Sequence, residues 1–156
     1  MLNIGQKAPD FSLMDQEGTC HNLGQYLGSW IVLYFYPKDD TPGCTKEACG
    51  FRDVFGELKK NNIIILGVSK DTVESHKKFN SKYHLNFTLL SDEDKAVIKQ
   101  FGAWGKKKFM GREYDGVLRI TYLIDSKGFI KKIYEKVKPE EHANEILHDV
   151  ASLSKS

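Results

Sequence analysis

The 156-residue chain contains only three cysteines, too few and too odd in number for a framework of structural disulfides. Any disulfide it forms is therefore expected to be transient. Long apolar runs are also missing: the longest, Trp30 to Tyr36, falls far short of the roughly 20 residues a membrane helix needs. The opening MLNIGQKAPDFSL lacks both the continuous apolar segment of a secretory signal and the Arg-rich pattern of a transit peptide, so the cytoplasm is the expected location. Arginine is scarce too. Twenty of the 23 basic residues are lysines, whereas arginine is the usual reader of phosphates and bases, and a formal charge of +2 sets up no large field. Neither nucleic acid nor a membrane is an expected partner, and the one cationic cluster, Lys106 to Lys108, reads as a solvated loop.

What is present, 40% hydrophobic and 28% charged residues, suits one globular domain over residues 1–156. WIVLYFY (30–36) reads as a buried strand from its β-branched and aromatic content. From Cys44 the apolar positions Ala48, Phe51, Phe55 and Leu58 recur on one helical face, ending at the Lys59 to Asn62 break. A strand at Ile63 to Val68, a helix at Thr72 to Tyr83, a short strand at Phe87 to Leu90 and a helix at Glu93 to Phe101 follow. Strands alternating with helices imply parallel βαβ units. The end changes pattern: Val117 to Ile124 and Phe129 to Glu135 flank Asp-Ser-Lys-Gly, a hairpin signal, and Pro139 opens a terminal helix to about Leu153. The expectation is an α/β fold with a mixed sheet covered by helices on both faces.

The chemistry-bearing stretch is YPKDDTPGCTKEACGF (36–51). Cys44 falls where a strand hands over to a helix, so free amides of the first turn and the helix dipole favour its thiolate, the nucleophilic form. A free cysteine is also often just a small buried hydrophobe, and position alone does not separate the two. Cys49 lies five residues on, which in a helix means about 7.5 Å of rise and about 140° of rotation. The Cα atoms are then too far apart for a disulfide, so pairing would require the first turns to melt, and Gly50 weakens them by about 1 kcal/mol relative to alanine.

The loop resembles the peroxiredoxins. Pro37, Thr41 and Cys44 match that family's Pro-x-x-x-Thr-x-x-Cys pattern, and Cys49 looks like the second thiol of the atypical two-cysteine subgroup known as PrxQ or bacterioferritin comigratory protein. The likeness extends through GQKAPDF, TPGCTKEACGFRD, NFTLLSDED, FGAWG and YDGVLRITYLID. It implies a thioredoxin-like fold and reduction of hydrogen peroxide and organic hydroperoxides. It also implies Cys44 as peroxidatic and Cys49 as resolving cysteine, with Pro37, Thr41 and Arg119 completing the site and a dithiol protein such as thioredoxin as reductant. The subgroup is often monomeric, and no cofactor is implied. Of the three arginines, Arg52 lies about 12 Å down the helix axis from Cys44, and Arg112 sits in a loop that the sequence does not place. Arg119 stands inside an apolar strand, where an unpaired charge is costly, unless it is an edge arginine reaching water.

Several other residues are read conservatively. Cys20 beside His21 matches no zinc spacing and reads as a bystander, so no metal is expected. Trp104, Phe109 and Met110 read as packing residues. Glu47 reads as favouring the helix start. Two other functions remain open: a thiol-disulfide oxidoreductase, against which the Cys-x-x-x-x-Cys spacing argues, and a non-enzymatic redox sensor or holdase.

Overall fold

A computed structural model describes residues 2–154, so both ends of the expected 1–156 domain lie outside it. A seven-stranded sheet runs in the order β2-β1-β5-β4-β3-β8-β9. Its strands are β1 (Ser12–Asp15), β2 (Cys20–Asn22), β3 (Trp30–Phe35), β4 (Ile63–Ser69), β5 (Thr88–Ser91), β8 (Thr121–Ile124) and β9 (Ile130–Tyr134). The central β3, β4 and β5 are parallel, while β1 and β2 on one side and β8 and β9 on the other are antiparallel. This is the expected mixed sheet. Helices α1 (Pro42–Asp53), α2 (Phe55–Lys60), α3 (Val73–Tyr83), α4 (Ala96–Gln100) and α5 (His142–Leu153) complete the chain.

Both faces of the central strands are buried, which is why β3 and β4 read as unbroken apolar runs. Ile31, Leu33 and Phe35 point into one core with Val97, Ile98 and Phe101 at α4. Val32 and Tyr34 point into the other, with Ala48 and Phe51 of α1, Phe79 of α3, and Ile146 and Val150 of α5. Opposite Tyr34 in the β3/β4 register stands Gly67, where a Cβ would come within 2.8 Å of the tyrosine ring. No side chain fits there.

Several expected boundaries move. The helix expected from Cys44 to Leu58 is two helices, parted at Val54, and Phe55 is exposed rather than part of one apolar stripe. The Glu93 to Phe101 helix shortens to α4, and the terminal helix begins at His142 rather than Pro139. The N-terminal segment, read only as containing turns, forms the β1–β2 hairpin. Lys106 to Lys108 lie not in a loop but in β6 (Trp104–Phe109), which pairs with β7 (Arg112–Val117) as a separate two-stranded ribbon. At its tip Phe109 and Met110 are 66% and 88% exposed, so neither packs as expected. The strand expected over Val117 to Ile124 is likewise divided: Val117 closes β7, and Arg119 falls in the gap before β8.

Candidate active site

Antiparallel pairing of β3 with β8 sets the site. Tyr34 is opposite Thr121, and the Phe35 amide donates to the Ile120 carbonyl, so Arg119 arrives beside the point where β3 hands over to its loop. The same loop leads from Tyr36 to α1. Thr41 is the residue before the helix and Pro42 its first, a position where proline's missing N–H and fixed φ suit a helix start. Thr45 donates to the Thr41 carbonyl, whereas the amides of Gly43 and Cys44 have no partner among the described residues. Two N–H groups of the first turn are therefore left free at the helix start that carries the sulfur.

Cys44 is 1% exposed and shares the apolar face with Ala48 and Phe51. The Arg119 Nη2 donates to its Sγ at 3.3 Å, and Nη1 donates to Glu47 Oε1 at 2.7 Å. The arginine side chain is 21% exposed, so it does not reach out to water from a strand edge. Burial works against its charge, but Glu47 and Cys44 outweigh that penalty and hold its pKa above the ordinary value. Gly43 makes room for this arrangement: a Cβ there would meet Nη2 at 3.1 Å.

Glu47 is not the helix-start carboxylate expected. It is buried, its pKa is pushed up to about 7 by loss of water, and Arg119 pulls in the opposite direction. Its second oxygen, Oε2, and the buried Tyr34 hydroxyl have no partner among the described residues. Cys44, Glu47, Ala48 and Phe51 stand at helical i, i+3, i+4 and i+7, so a charge on the apolar stripe was the signal in the sequence. Lys107 was missed for the opposite reason, being read as a solvated loop. It is half-buried, donates to the Val117 carbonyl at 3.0 Å, and its pKa is lowered first by burial and then by the nearby Arg119.

The other expected residues fall in place unevenly. Pro37 is half-buried at the loop entrance. Thr41 Oγ1 donates to the Lys38 carbonyl at 2.8 Å, so its proton is already engaged and it offers a ligand its lone pairs. Cys49 is half-buried in the intact α1, and both it and Cys44 are free thiols. Burial raises the Cys49 pKa, with Arg52 opposing. Cys20, the third thiol, lies exposed on β2 against Ser12.

A guanidinium-backed sulfur at the first turn after a parallel strand, on a sheet of this order, marks a thiol-based redox protein of thioredoxin-like fold. Comparison narrows the class. The sequence profile of the AhpC/TSA family matches residues 4–133, and the chain belongs to that family, among its peroxiredoxins. Peroxiredoxin Bcp of Escherichia coli is 49% identical over 147 residues, 94% of each chain. A cysteine mutant of Xylella fastidiosa PrxQ superposes with a TM-score of 0.93 at 34% identity, over 99% of this chain and 98% of that one. The Xanthomonas campestris bacterioferritin comigratory protein, described for its alkyl peroxide reduction activity, gives a TM-score of 0.87 at 36% identity over 92% of both chains.

Proposed function

We propose that Cys44 is the peroxidatic cysteine of a thiol peroxidase acting on hydrogen peroxide and organic hydroperoxides, with Cys49 as its resolving cysteine. The observation that carries this reading is the 3.3 Å contact from Arg119 to a buried sulfur whose helix-start amides are free. The thiolate attacks the terminal oxygen of R–O–O–H. A sulfur–oxygen bond forms, the O–O bond breaks, and an alkoxide leaves to take up a proton, while Cys44 becomes a sulfenic acid. Charge builds on the departing oxygen, and the guanidinium and the Gly43 and Cys44 amides are placed to stabilise it. Thr41 accepts the hydroperoxide's proton as a hydrogen bond, and Pro37 shields the sulfur from water.

Resolution needs a change of shape, because five helical residues separate the sulfurs by too much for a disulfide. The first turns of α1 open, the Cys49 thiolate attacks the sulfenic sulfur, a sulfur–sulfur bond forms, and water leaves. A dithiol protein of the thioredoxin type then supplies two electrons and restores both thiols, all within one chain and without a cofactor or a second subunit.

Stopped-flow peroxide consumption with a thioredoxin system tests the cycle. Cys44→Ser is expected to abolish turnover. Cys49→Ser is expected to react once and stall, with mass spectrometry finding a Cys44 sulfenic acid instead of an internal disulfide. Full turnover by Cys49→Ser would remove Cys49 from the cycle. A wild-type chain that reacted only once, with reductant present, would make the protein a sensor.

A further inference from the structure

The groups that touch Cys44 do not hold its loop. That work falls to Asp40 at the surface, through Lys82 and Tyr83, and to Asp39, which is buried and faces α3. His76 of α3 is 0% exposed, with Nδ1 at 2.7 Å from Asp39 Oδ2 and Nε2 at 2.9 Å from the Leu90 carbonyl oxygen of β5. A carbonyl oxygen only accepts, so Nε2 carries a proton. Nδ1 shares a hydrogen bond with the Asp39 carboxyl group, so both ring nitrogens are engaged, one on the loop and one on β5. The Tyr36 hydroxyl donates to Asp39 Oδ1 at 2.6 Å and the Ser75 hydroxyl to Oδ2 at 2.8 Å. The Asp39 amide donates to Asp71 Oδ2 at 2.9 Å, and that same oxygen accepts from Ser69 at 2.6 Å.

Asp39, Asp71 and His76 form the one group among the described residues whose side chains lie close enough to hold a metal ion together. Both nitrogens of the His76 ring are already engaged by the protein, so the ring offers none to a metal. The cluster is a buried hydrogen-bonded pair, and its placement suggests another role. Asp39 lies between Pro37 and Thr41, five residues before Cys44; its partners are Tyr36 at the start of the loop, Ser75 and His76 of α3 and Asp71 of the β4–α3 connection, and His76 in turn reaches β5. None of them is in α1.

We propose that Asp39 and His76 are positioning residues for the peroxide step: a buried strut that keeps Pro37 to Thr41 in register while the first turns of α1 open and close. The inference rests on Cys44 being the peroxide-reacting thiol. With the strut in place, the closing helix finds Pro37, Thr41 and the loop amides where the peroxide needs them. Without it the reacting geometry is less populated, whereas opening, which needs no such register, is not slowed. The two chemical steps should therefore respond in different directions.

The test measures both steps separately by stopped-flow: the second-order rate of Cys44 oxidation by hydrogen peroxide, and the first-order rate of Cys44–Cys49 disulfide formation. His76→Leu leaves Asp39 without its ring partner and is expected to slow oxidation by about tenfold, as misplacement of reacting groups does. Disulfide formation should stay the same or quicken, and mass spectrometry should find less sulfinic acid at equal peroxide. His76→Gln, whose amide can still donate to Asp39 or Leu90, should recover most of the oxidation rate. Removing both groups in Asp39→Ala/His76→Leu takes away the buried carboxyl group that His76→Leu leaves short of a partner, so the double variant is expected to melt higher than His76→Leu while keeping the shifted ratio of rates. Should His76→Leu not fold, the double variant carries the test alone. A lower melting temperature with the wild-type ratio of rates, or equal slowing of both steps, would reduce the pair to a structural one and overturn the proposal. Failure of wild-type Cys44 to oxidise would instead overturn the assignment beneath it.

Discussion

Residues 36–41 and 42–50 are consecutive and border the same sulfur, yet they are held in opposite ways. The loop is tied by polar contacts to α3 and its flanks: Asp39 to His76 and Ser75, its amide to Asp71, and Asp40 to Lys82 at 2.8 Å and Tyr83 at 2.7 Å. Asp40 even takes a left-handed conformation, φ 58°, to make its contacts. The first turns of α1 have apolar packing, two glycines set against Arg119 and α5, and polar ties to a single guanidinium. A helix that must open should be joined to a loop that must not. The contrast also locates the risk, because among the described residues Arg119 is the one side chain that ties the opening turns to the rest of the fold by hydrogen bonds.

Removing that link should therefore do the most damage. Arg119→Met keeps the stem but loses the charge and both donors, and peroxide oxidation of Cys44 is expected to slow by roughly 10² to 10³, the usual cost of deleting a donor aimed at developing charge. Retention of the wild-type rate would place the stabilising charge elsewhere. Glu47 is the next largest case. Its pKa rises from 4.5 to about 7 on folding, so the folded state holds its proton more tightly than the unfolded one. Stability from this group is complete below about pH 4.5 and is lost as pH rises through about 7. At 1.36 kcal/mol per unit, the loss is on the order of 3 kcal/mol. Glu47→Gln should remove that component, giving a flatter melting temperature between pH 4.5 and 7.5 by calorimetry. An unchanged slope would show that Glu47 titrates normally.

How much of this was legible in the sequence varies with what each residue needs. The central strands were readable because burial on both faces leaves unbroken apolar runs, whereas the place of Cys44 after a strand, beside Pro-Gly, fits a small buried hydrophobe as well as a nucleophile, and only the wider motif singles it out. Glu47 was quoted but misassigned, since a carboxylate in the first turn fits two explanations and only its place on the apolar stripe separates them. The β6–β7 ribbon was missed because Lys106, Lys107 and Lys108 interrupt any alternation that would mark a strand. Its neighbour Val117 was absorbed into the next strand for the same lack of a break. Asp39 and His76 were beyond reach: they stand 37 positions apart, and nothing local signals that they meet.

The glycines sharpen the comparison further. Gly43 and Gly50 both sit in α1, yet a Cβ at Gly43 would press on Arg119 Nη2 at 3.1 Å, while one at Gly50 would meet Ala143 Cβ at 3.7 Å and the Pro139 carbonyl at 3.9 Å. The first contact is tight and the second ordinary. Gly43→Ala should displace the guanidinium by a few tenths of an ångström and slow peroxide oxidation by about tenfold, leaving disulfide formation little changed. A wild-type oxidation rate would mean that Arg119 shifts without loss.

Gly50→Ala should act on the other step alone. The site has room for the methyl group, so the folded helix gains what alanine offers over glycine in a helix interior, about 1 kcal/mol. That gain must be given up when the first turns open for Cys49. The opened population falls by about fivefold, since 1.4 kcal/mol is a factor of ten, and disulfide formation slows with it. Oxidation of Cys44, which takes place in the closed form, keeps its rate. The sulfenic acid then waits longer for its partner, so more of it meets a second peroxide and advances to sulfinic acid. Mass spectrometry across a peroxide titration should place the half-point of over-oxidation at a lower concentration for Gly50→Ala than for the wild type. An unchanged half-point would mean that the first turns of α1 open by a route in which residue 50 stays helical, and that the hinge lies nearer to Cys44.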